Sequence, residues 1–200
     1  ELKTEQGNWK GVHFENGMIS ASVQNDYITV DNFNFKSGND FFQFTGSYNG
    51  KDNYLIDRLQ LAYKNNYLIN TIPISFFYSD SNLNIDPFEL HINDGVLEGY
   101  VYGEESPEGQ FKMSNFDAKI LTSFFNDNKF KVSGLIFGEV WIKPLEENLD
   151  LDIDVSLKNG KYMDEPFDEM IISLLYKNEM LHIDDISMTK QGSMGMQING

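Results

Sequence analysis

Met180–Met188 reads Met-Leu-His-Ile-Asp-Asp-Ile-Ser-Met, and the phrase recurs upstream. Tyr27–Phe35 reads Tyr-Ile-Thr-Val-Asp-Asn-Phe-Asn-Phe, and Asn82–Leu90 reads Asn-Leu-Asn-Ile-Asp-Pro-Phe-Glu-Leu. Asn53–Leu61 closes on Ile56-Asp57-Arg58-Leu59-Gln60-Leu61. In each, two apolar residues at period two precede an Asp and one further residue, and two more apolar residues at period two follow. Period two marks a strand with one buried face. The jump of three across the Asp (Val30 to Phe33, Ile85 to Phe88, Ile183 to Ile186) would throw the second pair onto the opposite face of a regular strand. A bulge at the Asp keeps the apolar face continuous. The chain thus reads as a repeated, bent, one-sided β-strand.

The phrases sit among short strands separated by turn signals. These fall at Ser37-Gly38-Asn39, Tyr48-Asn49-Gly50, Lys64-Asn65-Asn66, Ser79–Asn82 and Asn93-Asp94-Gly95. Such spacing marks an antiparallel meander. Asn16-Gly17 predicts a further hairpin turn between short strands of His13–Val23, and Glu1–Gly11 reads as a polar lead-in. Pro73 and Pro87 lack a ladder donor and belong at an edge or a bulge. The glycines of Phe44-Thr45-Gly46, Leu97-Glu98-Gly99 and Ile198-Asn199-Gly200 predict bends or close backbone approaches.

Gly103–Phe111 reads as a polar loop. The spacing of Phe116, Ile120, Leu121, Phe124 and Phe125 predicts one short amphipathic helix, Phe116–Phe125, capped by Ser114 or Asn115. Strands resume at Phe130. Leu149, Leu151, Ile153, Val155 and Leu157 face one way and Asp150, Asp152, Asp154 and Ser156 the other. Lys158-Asn159-Gly160 predicts the following turn, Asp164-Glu165-Pro166 a loop, and Lys177-Asn178-Glu179 the turn into the last phrase. The reading is a mainly all-β chain, 1–200, in one elongated domain. Two repeat-rich halves, about 12–103 and 128–200, are joined by a loop and the helix. Glu1 and Gly200 both fall in strand-like or lead-in sequence, so the chain reads as a segment of a longer one.

Composition narrows the function. The net charge is −16, with 15 Lys and Arg against 31 Asp and Glu. Nucleic acid needs clustered cations, so it is not an expected partner; anionic lipid headgroups are disfavoured for the same reason. With no Cys, disulfides, thiol chemistry and Cys-based zinc sites are excluded. No apolar run approaches the roughly 20 residues of a membrane helix.

Chemical motifs are sparse. Asp150, Asp152 and Asp154 suggest calcium, but an EF-hand loop needs Gly and an acid where Val155 and Lys161 stand. A solvated outer strand face explains them. Asp31, Asp57, Asp86 and Asp184 share one place in the repeat, which suits Asp's tolerance of bulges and turns better than acid–base work. His13, His91 and His182 show no metal-ligand spacing. No nucleophile elbow or phosphate loop occurs. Neither enzymatic activity, a catalytic residue, a metal nor a cofactor is expected.

The apolar faces admit two readings. They form either the closed core of a β-sandwich or solenoid, serving as a non-catalytic binding or adhesion module for glycan or protein, or the inside of a single long sheet curled into an apolar trough. The pattern, above all Phe130–Gly200, resembles the TamB/AsmA-like proteins of Gram-negative envelopes. The residues that carry the resemblance are Val132-Ser133-Gly134, Gly138-Glu139-Val140-Trp141-Ile142 and Leu157-Lys158-Asn159-Gly160. Phe167-Asp168, Leu175-Tyr176-Lys177-Asn178, the Leu181–Met188 phrase and the Met196–Gly200 ending complete it. The resemblance implies a long antiparallel sheet folded lengthwise into a hydrophobic groove that shields phospholipid acyl chains. It implies a periplasmic location, with an inner-membrane anchor outside this stretch, and a role in outer-membrane biogenesis beside an Omp85-type partner. The expected groove lining is Val30, Phe33, Phe35, Phe44, Leu59, Leu61, Ile85, Phe88, Leu90, Leu151, Ile153, Val155, Ile183, Ile186 and Met188.

Overall fold

In the computed structural model the described residues are 2–9, 12–63, 66–79, 82–103, 107–119, 132–144 and 149–200. They are almost entirely antiparallel strand. The elements are β1 (Leu2–Thr4), β2 (Gly7–Trp9), β3 (Val12–Phe14), β4 (Asn16–Gln24), β5 (Tyr27–Ser37), β6 (Asp40–Tyr48), β7 (Asn53–Tyr63), β8 (Asn66–Asn70) and β9 (Ile74–Ser79). They continue with β10 (Asn82–Ile92), β11 (Gly95–Tyr102), β12 (Glu108–Asp117), β13 (Val132–Pro144), β14 (Leu149–Tyr162), β15 (Glu165–Lys177), β16 (Met180–Lys190) and β17 (Ser193–Ile198). Fifteen strands make one sheet in the order β1, β4, β5, β6, β7, then β8 and β9 end to end between β7 and β10, then β10 to β17 in sequence; β2 and β3 form a separate two-stranded ribbon. The backbone divides into two compact units. One comprises Glu1–Asn93 with Tyr100–Glu104, the other Asp94–Gly99 with Glu105–Gly200.

The phrase aspartates sit at breaks in register, as the phase jump requires. Against β4, the β5 pairing passes from Asn32–Ser20 to Val30–Ala21, which leaves Asp31 extra. Against β6, the β7 pairing passes from Arg58–Thr45 to Ile56–Gly46, which leaves Asp57 extra. Against β15, the β16 pairing passes from Asp185–Ser173 to Ile183–Leu174, which leaves Asp184 extra. In β10 the ladder pairs with β9 up to Ile85 and with β8 from Leu90, so Asp86 and Pro87 lie in the gap. All four aspartates are exposed.

Tight turns join the long strands. Met163-Asp164, Asn178-Glu179 and Gln191-Gly192 each carry positive φ at both positions. That conformation matches the right-handed twist of the flanking strands.

Several sequence expectations are corrected. Phe116 and Asp117 close strand β12, and only Ala118 and Lys119 are helical; the rest of the expected Phe116–Phe125 helix lies outside the described residues. Phe116 is taken up by pairing with Ile136 of β13, which favours an extended backbone over the 3.6-residue period. Glu108–Phe111, read as loop, is the start of β12. Asn16 and Gly17 are not a turn but lie inside β4, paired with Lys36 and Phe35. Lys158–Gly160 is not a turn either: β14 runs on to Tyr162, and Asn159 and Gly160 form a bulge opposite Gly134. The hairpin turns at Met163-Asp164 instead, because Phe167 packs its ring over Gly160, where a Cβ would come within 2.3 Å of that ring.

Candidate binding face

Residues paired directly across an antiparallel ladder share a face, so the registers assign the paired side chains to one face or the other. In the first unit, Ile19, Phe33, Phe44 and Leu59 form one row across β4 to β7. Beside it run Gly17, Phe35, Phe42, Leu61 and Leu68. On the other side of the bulges lie Ala21, Val30, Gly46, Ile56 and Ile74, then Ile28, Tyr48, Tyr54, Phe76 and Ile85. Rings interlock along this face. Phe33 meets Phe35 edge-on at 4.8 Å and Phe42 at 5.8 Å. Tyr54 lies 4.9 Å from Tyr48 and stacks on Phe76 at 4.8 Å.

In the second unit the rows are longer. Met113, Gly138, Val155, Ile172, Ile186 and Ile198 align across β12 to β17. Phe111, Val140, Ile153, Leu174 and Ile183 flank them on one side. Phe116, Ile136, Leu157, Met170, Met188 and Met196 flank them on the other. None of these residues carries a charge.

All fifteen residues expected to line the trough fall on the apolar face of their own unit, nine in the first and six in the second. The sequence reading missed Phe42, Tyr48, Tyr54, Ile56 and Phe76 in the first unit, and Ile136, Val140, Met170, Ile172 and Leu174 in the second. Their period-two alternation was present, but membership of the face comes from register with a neighbouring strand. It missed Asn70 too, a buried polar residue on the apolar face.

Asn70 ends β8 opposite the Asp57 bulge. Its amide replaces the peptide groups missing between β8 and β9. Nδ2 donates to the Asp57 carbonyl at 3.1 Å and to the Ile72 carbonyl at 2.9 Å, and Oδ1 accepts from the Leu59 N–H.

The charges occupy the opposite face. Lys143 donates to Asp152 at 2.6 Å, Lys177 lies 3.4 Å from Asp150 and Lys158 3.6 Å from Glu169; Lys190, in step with Met188 at the end of β16, lies 3.0 Å from Glu165. The hydrogen bond to Asp152 pushes the Lys143 ammonium above its ordinary pKa. Gln110 donates to Glu139 at 2.8 Å. Two of the three alternating aspartates, Asp150 and Asp152, are therefore charge partners in a ladder, and Asp150 is buried rather than solvated. One of its carboxylate oxygens has no hydrogen-bond partner among the described residues. In the first unit the same face bears Asn32–Asn34, Asn82–Asn84 and Arg58–Gln60 hydrogen bonds along single strands. There Glu89 accepts from Thr71 and His91, and the Thr71 hydroxyl, more than the imidazole, holds its carboxyl below the usual pKa.

The apolar face is only partly covered. Ile74, Phe88 and Ile92 are buried in the first unit, and Phe116, Ile136 and Leu157 in the second. The ribbon β2–β3 sets Phe14 on Phe35 at 4.8 Å. Elsewhere on the face Ile28 is 38% exposed, Met196 39%, Ile198 46% and Leu181 58%. Among the described residues, β2–β3 is the one sheet outside the main sheet, and it meets the first unit's face at Phe35. The described residues include no helix long and apolar enough to cross a membrane, and no group of three His, Asp or Glu fit to hold a metal ion. No protein-family model, curated protein or solved structure matches the chain.

Proposed function

We propose that the chain is a lipid-handling segment of the TamB/AsmA kind, whose apolar sheet face shields phospholipid acyl chains in the periplasm during outer-membrane biogenesis. The carrying observation is the set of charge-free rows that cross six successive strands of the second unit and stay partly open to water. A large exposed apolar patch on a folded protein marks an interaction surface. Side chains without hydrogen-bonding groups suit a partner that has none, which is the chemistry of an acyl chain. Each methylene withdrawn from water contributes about 0.8 kcal/mol, so one chain is retained firmly with no headgroup contact. Neighbouring rows offer equivalent surroundings, so a lipid can move along the face without breaking a specific bond. The acidic opposite face disfavours anionic headgroups there and leaves the apolar side as the only route. An Omp85-type outer-membrane protein is the partner this reading assigns.

The test is native mass spectrometry with lipid extraction on chain purified from a bacterial envelope. Phospholipid that co-purifies with the wild type, and is lost from a folded Ile153→Asp, Ile183→Asp double variant, supports the reading. A folded, lipid-free chain that also ignores fluorescent fatty acids rejects it.

A further inference from the structure

We infer that the lipid-free chain closes the apolar face of its second unit against the same face of a second copy, as a two-fold dimer. The area suffices. Six strands about 4.8 Å apart, sharing on average about ten residues at 3.3 Å although β17 is shorter, present a footprint of roughly 800 Å². Two such faces bury roughly 1,600 Å², the size of a stable interface. The middle row, Met113, Gly138, Val155, Ile172, Ile186 and Ile198, carries no charge and no unpaired polar side chain to be desolvated.

Charge favours the arrangement as well. Lys143, Asp152, Asp154 and Glu169 sit on the opposite face, so in a face-to-face pair the two acidic surfaces point apart. Packed sheets lie about 10 Å from each other, which puts the outer charges beyond the roughly 8 Å screening length at physiological salt. Two sheets of the same right-handed twist pack aligned at about −30°, and one patch meeting itself closes as a two-fold pair rather than a fibre. A face without a charged or hydrogen-bonding anchor holds nothing to select a different protein, and a second copy supplies the matching apolar rows.

The test is light scattering coupled to size exclusion on the delipidated full chain, from low to high salt. The expected result is twice the 23.0 kDa chain mass, with the dimer fraction rising as salt increases. Val155→Asp and Ile172→Asp should return the monomer, while Gln197→Lys on the opposite face leaves the dimer. The absence of native Cys allows a second measurement that keeps the packing apolar. Oxidised Val155→Cys or Ile172→Cys should form a covalent dimer, and Ser156→Cys should not. A delipidated wild type that stays monomeric overturns the inference, as does a dimer that survives both Asp variants or cross-links only through Ser156→Cys.

Discussion

Asn70 Nδ2 donates a 3.1 Å hydrogen bond to the carbonyl of Asp57, thirteen residues earlier in the chain. It thereby bridges a bulge in β7 to the break between β8 and β9. Replacing Asn70 by Leu should keep the apolar volume and strand both the Leu59 N–H and the Asp57 carbonyl in a buried site. Each stranded group costs about 1–3 kcal/mol, so denaturant unfolding should show a loss of about 3 kcal/mol. An unchanged midpoint would mean that the amide is dispensable.

The bulge at Asp184 is a matter of count rather than of charge. Asp184→Asn should leave stability within about 0.5 kcal/mol, since the side chain is exposed and an exposed substitution of this kind does little. Deleting Asp184 should send Leu181 and Ile183 to the charged face, because a one-residue slip inverts every side chain. The near-ultraviolet spectrum and proteolytic resistance of the last three strands report it. A deletion variant as resistant as the wild type would show that register there is not set by the phrase.

Gly138 and Gly192 separate crowding from dihedral strain. Both have positive φ, +135° and +70°, but a Cβ at Gly138 would lie 2.1 Å from the Asp154 carbonyl oxygen whereas at Gly192 it meets nothing within 4 Å. Gly192→Ala should cost about 1 kcal/mol. Gly138→Ala should cost at least about 3 kcal/mol, since the neighbouring strand must also shift. Thermal unfolding of the pair gives the order, and equal losses would contradict it.

Glu89 titrates below its ordinary value because the Thr71 hydroxyl and then His91 bond its ionised form. A depressed carboxylate stabilises the fold at pH above its unfolded pKa, and that contribution disappears as pH falls through the folded one. Carbon-detected NMR titration should therefore place Glu89 below the exposed carboxylates. Thr71→Val should move it back up and flatten the acid limb of the stability curve. A Glu89 titration indifferent to Thr71→Val would assign the depression elsewhere.

Strands, bulges and sidedness were all legible in the local order of residues. Val30, Phe33 and Phe35, or Ile183, Ile186 and Met188, reveal both the apolar face and the extra residue at the Asp, because period two and its interruption are local properties of the chain. The rows and the exceptions came from contacts between distant strands. Phe116 joined a strand because Ile136 offered it a partner, against a local helical spacing. Lys158–Gly160 stayed in β14 because β13 and Phe167 extended the ladder past a favourable turn pair. Asn70 became the buried polar link because the ladder breaks where β8 meets β9, a juxtaposition no local pattern encodes. Register is set by hydrogen bonds and side-chain contacts between distant strands. It is register that joins single apolar stripes into a charge-free face.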